Sequence, residues 1–363
     1  MFLNRLIVSD FKNIASADLT FSPGINCICG DNGQGKTNLL DAVNYLSVTK
    51  SFLSSTDRYA IRYNTSKATL HGRYQVDNDQ VEIALSINDG GEKELRIDSK
   101  TCRKISDYIG KIPVVVVSPS DSSLINDSAQ ARRRFINIML SQTDSDYLTA
   151  AVNYNKLLKQ RNKLLKQPGV HPMLLDSFTE MMAPMADYIC EKRRETVLRL
   201  SAQTALFYRE ISGNREEVSM EYDSDLLGCR AEKLFGESIN KDMALGFTSV
   251  GVQRDEIQFL MGGKPVRMCA SQGQQKSFII AAKMAQYKIM NELFKASPLL
   301  LLDDLFDKLD IHRVNFLVDM VLKDNFGQVF ITDTDRTRIG EIVSKYTSES
   351  MFYGVKDGLF ERI

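Results

Sequence analysis

Nine residues constrain this chain more than any other stretch: GDNGQGKTN, Gly30 to Asn38. They fit G-x-x-x-x-G-K-[ST] in full, with Gly30, Gly35, Lys36 and Thr37 at the fixed positions. NCIC before them reads as a strand, and NLLDAVNYLSV after them carries apolar residues at helical spacing. Strand, glycine-rich loop and helix in that order make a phosphate cradle. The glycines let the backbone through Asp31, Asn32, Gly33 and Gln34 curl until successive N–H groups face an anion. The helix N-terminus, running into Asn38, adds its dipole. Lys36 is then expected on the β- and γ-phosphates of a nucleotide, and the Thr37 hydroxyl on Mg²⁺.

Such a loop needs a carboxylate across the sheet, and PLLLLDDLFDKLD, Pro298 to Asp310, supplies two. Four leucines predict a fully buried strand, with Asp303 and Asp304 where it leaves the core. Asp303 is the expected metal partner, and Asp304 is placed to orient or deprotonate an attacking water. The bland reading of the same pair is an acidic helix cap. SQGQQKS, Ser271 to Ser277, precedes these carboxylates, with a helix expected from Ser277. It resembles the signature of head-type ATPases of the ABC and SMC class, which meets the γ-phosphate bound by a second molecule. By that resemblance Ser271 offers a hydroxyl, and Gly273, after Gln272, lets a backbone N–H approach the anion. The string alone also fits a polar helix cap.

The remaining pattern has two parts. A chain of 363 residues is long enough for two lobes. The first 118 or so residues read mainly as strands, and KATLHGRYQV, QVEIALSIN and KELRIDSK predict an antiparallel meander. From Ala129 to Gly213 the pattern is helical, broken by KQPGVHP and by Pro184, and after about Gly246 it returns to α/β. The expected division is a discontinuous head, 1–118 with 246–363, and an inserted helical arm, 119–245. Formal charge is zero, so nucleic-acid binding would need a local patch. The six cysteines lack zinc spacing, with Cys27 and Cys29 on one face of a strand, and point to a reducing, cytoplasmic setting. No window approaches the ~18 apolar residues of a membrane span, and the start lacks a signal peptide's pattern. His71, His171 and His312 share no metal spacing, and Met181, Met182 and Met185 read as packing.

Together DFKNI, GDNGQGKTNLLDAV, ARRRFI, SQGQQKS, LLLDDLFDKLD and GQVFIT resemble the RecF family within the SMC/ABC head superfamily, over nearly the whole chain. The resemblance implies an α/β P-loop ATPase head of mixed sheets and helices with an inserted, mainly helical second lobe. It also implies ATP with Mg²⁺, and a head-to-head homodimer that sandwiches two ATPs and binds DNA while ATP is bound. Gapped or junction DNA, single-stranded and duplex, is the implied target. RecO and RecR are the implied partners in placing RecA, with hydrolysis slow, DNA-stimulated and used as a switch. By the same resemblance Asp307 to Asp310 is the D-loop, with Asp310 at the nucleotide, and Gln328 to Thr334 is the last core strand. Four positions depart from the family pattern. GVQRDEI has Val252 and Gln253 where proline and histidine are usual, Asn137 stands in place of an aspartate, and Asp333 interrupts a threonine-rich stretch. VVVVSPSDSS offers no glutamine for a Q-loop.

Between Arg132 and Lys166 eight Lys/Arg face two acids, Asp144 and Asp146. Arg132, Arg133 and Arg134 open the segment. On a helix, Lys156, Lys159, Lys163 and Lys166 line one side while Leu157, Leu158, Leu164, Leu165 and Arg161 fall on the other. The stripe fits a track for DNA phosphates and equally an ordinary solvated face. A divergent SMC-like structural ATPase, or an ATPase partnered with a nuclease, is the alternative. The segment between the expected lobe boundaries is about one ordinary domain long, too short for heptad arms, and shows no acidic nuclease cluster.

Overall fold

The structure is a computed structural model and describes residues 1–54, 56–167, 169, 171–304, 327–344 and 349–363. The chain divides into two units, Met1–Asp121 with Gln286–Ile363, and Ser122–Ala285.

In the first unit, β1 (Phe2–Phe11) and β2 (Ile14–Thr20) form a hairpin, followed by β3 (Ile25–Cys29) and helix α1 (Lys36–Val48). Then come β4 (Lys67–Val76), β5 (Asp79–Asn88), β6 (Lys93–Ile97), the short β7 (Lys100–Thr101) and β8 (Val114–Val117). One six-stranded sheet has the order β2-β1-β4-β5-β6-β7, and its pairings are antiparallel. The alternation of ATLHGRY along β4 puts Ala68, Leu70, Gly72 and Tyr74 inward and leaves the intervening residues partly exposed.

The second unit holds α2 (Ser123–Asn126), α3 (Ala129–Thr143), α4 (Ser145–Leu165) and α5 (Pro172–Ser212). Strand β9 (Val218–Asp223) and helix α6 (Ala231–Leu245) follow, then β10 (Glu256–Met261), β11 (Lys264–Pro265) and α7 (Val266–Cys269). Helix α8 (Gln272–Leu293) passes from the second unit into the first. β10 pairs with β9 from Glu256↔Asp223 to Met261↔Val218, tying the segment after Gly246 to the inserted one. That pairing moves the return point from the expected 245/246 to Ala285/Gln286.

Pro184 does not break the helix as expected; it lies inside α5. It is exposed, between buried Met182, Ala183, Ala186 and Ile189, and Glu180, four residues back, is exposed too. The carbonyl that Pro184 leaves unpaired therefore faces water, and burial of the opposite face carries the helix through. Met182 is buried as expected, but Met181 is 47 % exposed.

The chain closes with β12 (Leu299–Leu302), β13 (Val329–Asp333), α9 (Arg336–Ser344), β14 (Ser350–Lys356) and β15 (Leu359–Arg362). The second six-stranded sheet has the order β15-β14-β3-β13-β12-β8, with β14, β3, β13, β12 and β8 parallel. β13 is thus not the last core strand, since β14 adds to the other side of β3 and β15 follows it. β3 and β12 are buried along their whole length, the pattern of a parallel sheet covered on both faces. The apolar sides of α1, β1, β4, β5 and the parallel sheet meet in one core, with Leu3, Leu6, Leu39, Val43, Tyr45, Leu299 and Phe330 essentially inaccessible. Gln328 joins the sheets by donating to the carbonyls of Leu3 and Ser22 while accepting from the Leu3 N–H.

Candidate functional site

β3 delivers the chain to Gly30 at the carboxyl edge of the parallel sheet, where open α/β sheets bind ligands. The Gly30 N–H donates to the Asp333 carbonyl at 3.2 Å, and a Cβ here would lie 2.5 Å from the Val355 carbonyl. No other residue fits that approach. Gly33 and Gly35 have φ of 81° and 118°, the left-handed region that reverses the loop into α1. Lys36 is 5 % exposed, and its Nζ donates back to the carbonyls of Gly30 at 2.5 Å and Asp31 at 3.1 Å. The loop thus wraps its own lysine.

A second set of contacts props the loop from outside. In the β1–β2 turn, Asn13 Oδ1 accepts from Asn38 Nδ2 at 2.7 Å, and Asn13 Nδ2 donates to the Gln34 carbonyl at 3.1 Å. Lys12, beside it, pairs at 2.5 Å with Asp41, which is fully buried one turn into α1. The Gly358 N–H donates to the Gln34 carbonyl at 2.9 Å, and the Asp357 N–H to Gln34 Oε1 at 2.5 Å. Sequence reading caught DFKNI as a family string but not this propping role. The local signal was an amide next to a lysine in a two-residue turn.

Asp303 and Asp304 emerge from β12 beside this loop. Asp303 is 3 % exposed, and its Oδ1 accepts from the hydroxyls of Thr37 at 2.9 Å and Thr332 at 2.8 Å. Burial raises its pKa, with those two hydroxyls opposing. Asp304 sits at φ 48° with its N–H donating to Thr332 Oγ1 at 2.8 Å, and its buried Oδ1 has no hydrogen-bond partner among the described residues. A cavity of about 170 Å³ is lined by Asn32, Gly33, Gly35, Lys36, Thr37, Asn38 and Asp304. An orphaned carboxylate oxygen thus shares one polar pocket with the loop lysine and threonine, and a buried carboxylate bonded to that threonine lies beside it. The set fits Mg²⁺, a hard cation that takes oxygen ligands.

The expected signature residues lie in the second unit. Ser271 and Gln272 are exposed and Gly273 is half-buried. The helix begins at Gln272, five residues earlier than expected, because Ser271 and Gln274 form a capping box. The Gln274 N–H donates to Ser271 Oγ at 3.3 Å, and the Ser271 N–H donates to Gln274 Oε1 at 2.7 Å. Gln274 Nε2 also holds Glu216 at 2.7 Å. Asp310, with the Asp307–Asp310 stretch and His312, lies outside the described residues.

Of the basic residues, Lys156, Lys159 and Lys163 are exposed along α4, Lys166 is exposed at its C-cap, and Arg134 is exposed on α3. Arg132 and Arg133 are engaged internally. Arg132 pairs bidentately with Glu256 at 2.8 and 2.9 Å, and Arg133 donates to the Asp255 carbonyl at 2.5 Å. Arg161 is 1 % exposed and bonds Asp242 and Thr248, each at 2.7 Å.

Three of the four departures named above are absorbed by hydrogen bonds, and the fourth, Val252, is buried. Asn137 Oδ1 accepts from the Tyr147 hydroxyl at 2.6 Å and Arg193 Nη2 at 3.1 Å. Gln253 accepts from the Tyr154 hydroxyl and donates to the Val250 carbonyl at 2.6 Å. Asp333 is 1 % exposed and takes Arg338 at 2.7 and 2.9 Å. His71 lies 3.6 Å from Glu82, and His171 caps α5. Among the described residues no cluster of His, Cys, Asp or Glu has the make-up of a separate metal site, and no helix is long and apolar enough to cross a membrane.

Residues 2–351 match the RecF/RecN/SMC N-terminal domain. The DNA replication and repair protein RecF of Porphyromonas gingivalis, strain W83, is 41% identical over 360 residues, covering 99% of each chain. A solved structure of the recombination mediator protein RecF with ATP superposes with a TM-score of 0.89 at 26% identity, covering 100% of this chain and 97% of that one. An Smc head bound to the C-winged helix domain of ScpA gives 0.60 at 15% identity over 100% and 97% of the two chains, a likeness of fold alone. A P-loop carried on a mixed-sheet SMC-type head, with that identity along the whole length, makes this chain a member of the RecF family.

Proposed function

We propose that this chain is an ATP-dependent DNA-binding protein of recombinational repair. Two copies would close head to head around ATP, bind gapped or junction DNA, and assist RecA loading with RecO and RecR in the cytoplasm. The observation that carries the reading is the Thr37–Asp303–Thr332 chain of hydrogen bonds beside an unsatisfied Asp304 oxygen. It ties the phosphate loop to the strand end where a hydrolytic water would be held. Relatives named DNA replication and repair protein RecF supply the pathway.

In this reading the Gly30–Lys36 backbone binds the phosphates, and Lys36 exchanges its two loop carbonyls for phosphate oxygens. Thr37 and Asp303 would hold Mg²⁺, which when bound would offset the phosphate charge. Asp304 takes the proton of the attacking water through its unpaired oxygen. Ser271, Gln272 and Gly273 of a second copy complete each site. This keeps turnover slow and makes ATP a switch. The exposed lysines of α4 track duplex phosphates; Arg132 and Arg133, already paired, are left out of that role.

The test is light scattering of the Asp304→Asn variant with ATP and Mg²⁺, with and without gapped DNA. A dimer longer-lived than that of the unaltered protein is expected, with turnover lowered about 10²–10⁴-fold. A monomer at high protein concentration, in the presence of a slowly hydrolysed ATP analogue, would overturn the reading.

A further inference from the structure

The segment between α1 and β4 carries a repeat that the nucleotide site does not use: Arg58-Tyr59-Ala60-Ile61-Arg62-Tyr63, an Arg–Tyr pair recurring four residues on. Ala60 is buried at 1 % exposure, and Ile61 bridges to Phe11. The tyrosines do the opposite. Tyr59 is 70 % exposed and Tyr63 88 %. A ring held that far into water forgoes the stabilisation that burial would give it. Among the described residues no other ring or cation stacks on either.

Looseness does not explain this exposure, because the backbone beneath is pinned. The Lys12 N–H donates to the Ala60 carbonyl at 2.9 Å, and the Arg62 N–H to the Asp10 carbonyl at 2.8 Å. Asp57, at the start of the segment, takes the Tyr45 hydroxyl at 2.6 Å and both Lys50 and Lys93 at 2.9 Å. Thr65 Oγ1 closes the far end on the Arg62 carbonyl at 2.9 Å.

Charge follows the rings. Arg58 is exposed and makes no ion pair among the described residues. Arg62 has a single long contact, 3.7 Å to Asp10, with both side chains more than a third exposed, a pairing worth little. Asp57 is already matched by two lysines. The segment is therefore positive, and each guanidinium is followed in the chain by an exposed ring. Phosphates take the guanidinium groups, and the flat faces of unpaired bases take the rings. A duplex hides those faces in its own stack, so this chemistry selects single strands.

We propose that Tyr59 and Tyr63, with Arg58 and Arg62, form a docking platform for single-stranded nucleic acid on the first unit. It uses base stacking rather than a phosphate track, and it stands whether or not the α4 lysines bind duplex.

The test is binding of an oligo-dT strand carrying 2-aminopurine to the full chain, beside a blunt duplex hairpin. Tyr59→Ala and Tyr63→Ala should each weaken the single strand about 5- to 150-fold and restore 2-aminopurine fluorescence, with the hairpin unchanged. Tyr→Phe at both positions should keep the affinity. Arg58→Gln with Arg62→Gln should lower it and reduce the single-strand salt slope by roughly 0.7 per lost contact. Both rings are at the surface, so the alanine variants should keep the urea midpoint of the unaltered protein. Unchanged oligo-dT binding in the double alanine variant overturns the proposal, as does equal loss for the hairpin. Loss confined to a protein partner's binding also overturns it. Substituting Lys159, Lys163 and Lys166 instead should leave the 2-aminopurine signal of the single strand as it is, which separates this platform from the duplex track.

Discussion

Asn13 shows how much of a phosphate loop is decided outside the loop. Its amide gives one hydrogen bond to the Gln34 carbonyl and takes one from Asn38, and a Cβ on Gly35 would come within 2.9 Å of it. The side chain therefore sets both the height of the loop and the room available at Gly35. Two net hydrogen bonds are worth about 1–3 kcal/mol, so Asn13→Ala should weaken ATP binding about 5- to 150-fold. Titration calorimetry reads this directly, and an unchanged Kd would show that the turn is only a neighbour. The adjacent carboxylates make the same point by contrast. Asp303 is occupied by two hydroxyls, while Asp304 Oδ1 is buried without one.

Elements carry the next level. Helix α5 supplies Arg193, 5 % exposed, which reaches Asp255 at 2.6 Å, the Val252 carbonyl at 2.7 Å and Asn137 at 3.1 Å. Asp255 also takes the hydroxyls of Tyr222 and, at 2.6 Å, Ser224. Burial pushes the Asp255 pKa up while Arg193 opposes it, so the guanidinium keeps this carboxylate tolerable. Arg193→Met leaves the charge unpaired, and the expected cost is about 3–5 kcal/mol, seen as a lower urea midpoint. Adding Asp255→Asn should recover part of that loss; no recovery would mean that packing, not charge, sets it. On α4 the lysines sit in water while Arg161 and Leu165 are buried, so the two faces of one helix do different work. Changing Lys159, Lys163 and Lys166 to Gln should lower duplex affinity and flatten the salt slope by roughly 0.9 per lost contact. Identical affinities at two salt concentrations would make the stripe an ordinary solvated face.

For the whole molecule the decisive question is whether each triphosphate is shared between two copies. If one copy gives the lysine loop and the other the serine–glycine turn, Lys36→Ala and Ser271→Ala should each be inactive as ATPases alone. Mixed in equal amounts, half the dimers carry one intact and one doubly defective site, so about a quarter of the activity should return. No recovery on mixing would argue that each copy works by itself.

The sequence alone determined the parts whose chemistry is local. Gly30 to Asn38 announced a phosphate cradle because only glycine permits its backbone, and Leu299 to Leu302 announced a buried strand because nothing in it tolerates water. The β4–β6 meander was legible from its alternation and turns. What only the tertiary structure decided is who meets whom. The phosphate loop called for Asp303, 266 residues from Thr37, but not for the Thr332 hydroxyl that shares its Oδ1. Arg132 and Arg133 read as free positive charge until Glu256 and the Asp255 carbonyl came to them, 124 and 122 residues away. Pro184 read as a break until packing on its far side outweighed one lost backbone bond. Tyr59 and Tyr63 went unremarked in the sequence because exposure is a property of the folded surface. Burial and pairing arise from the whole chain at once, and they choose among the meanings that each short stretch leaves open.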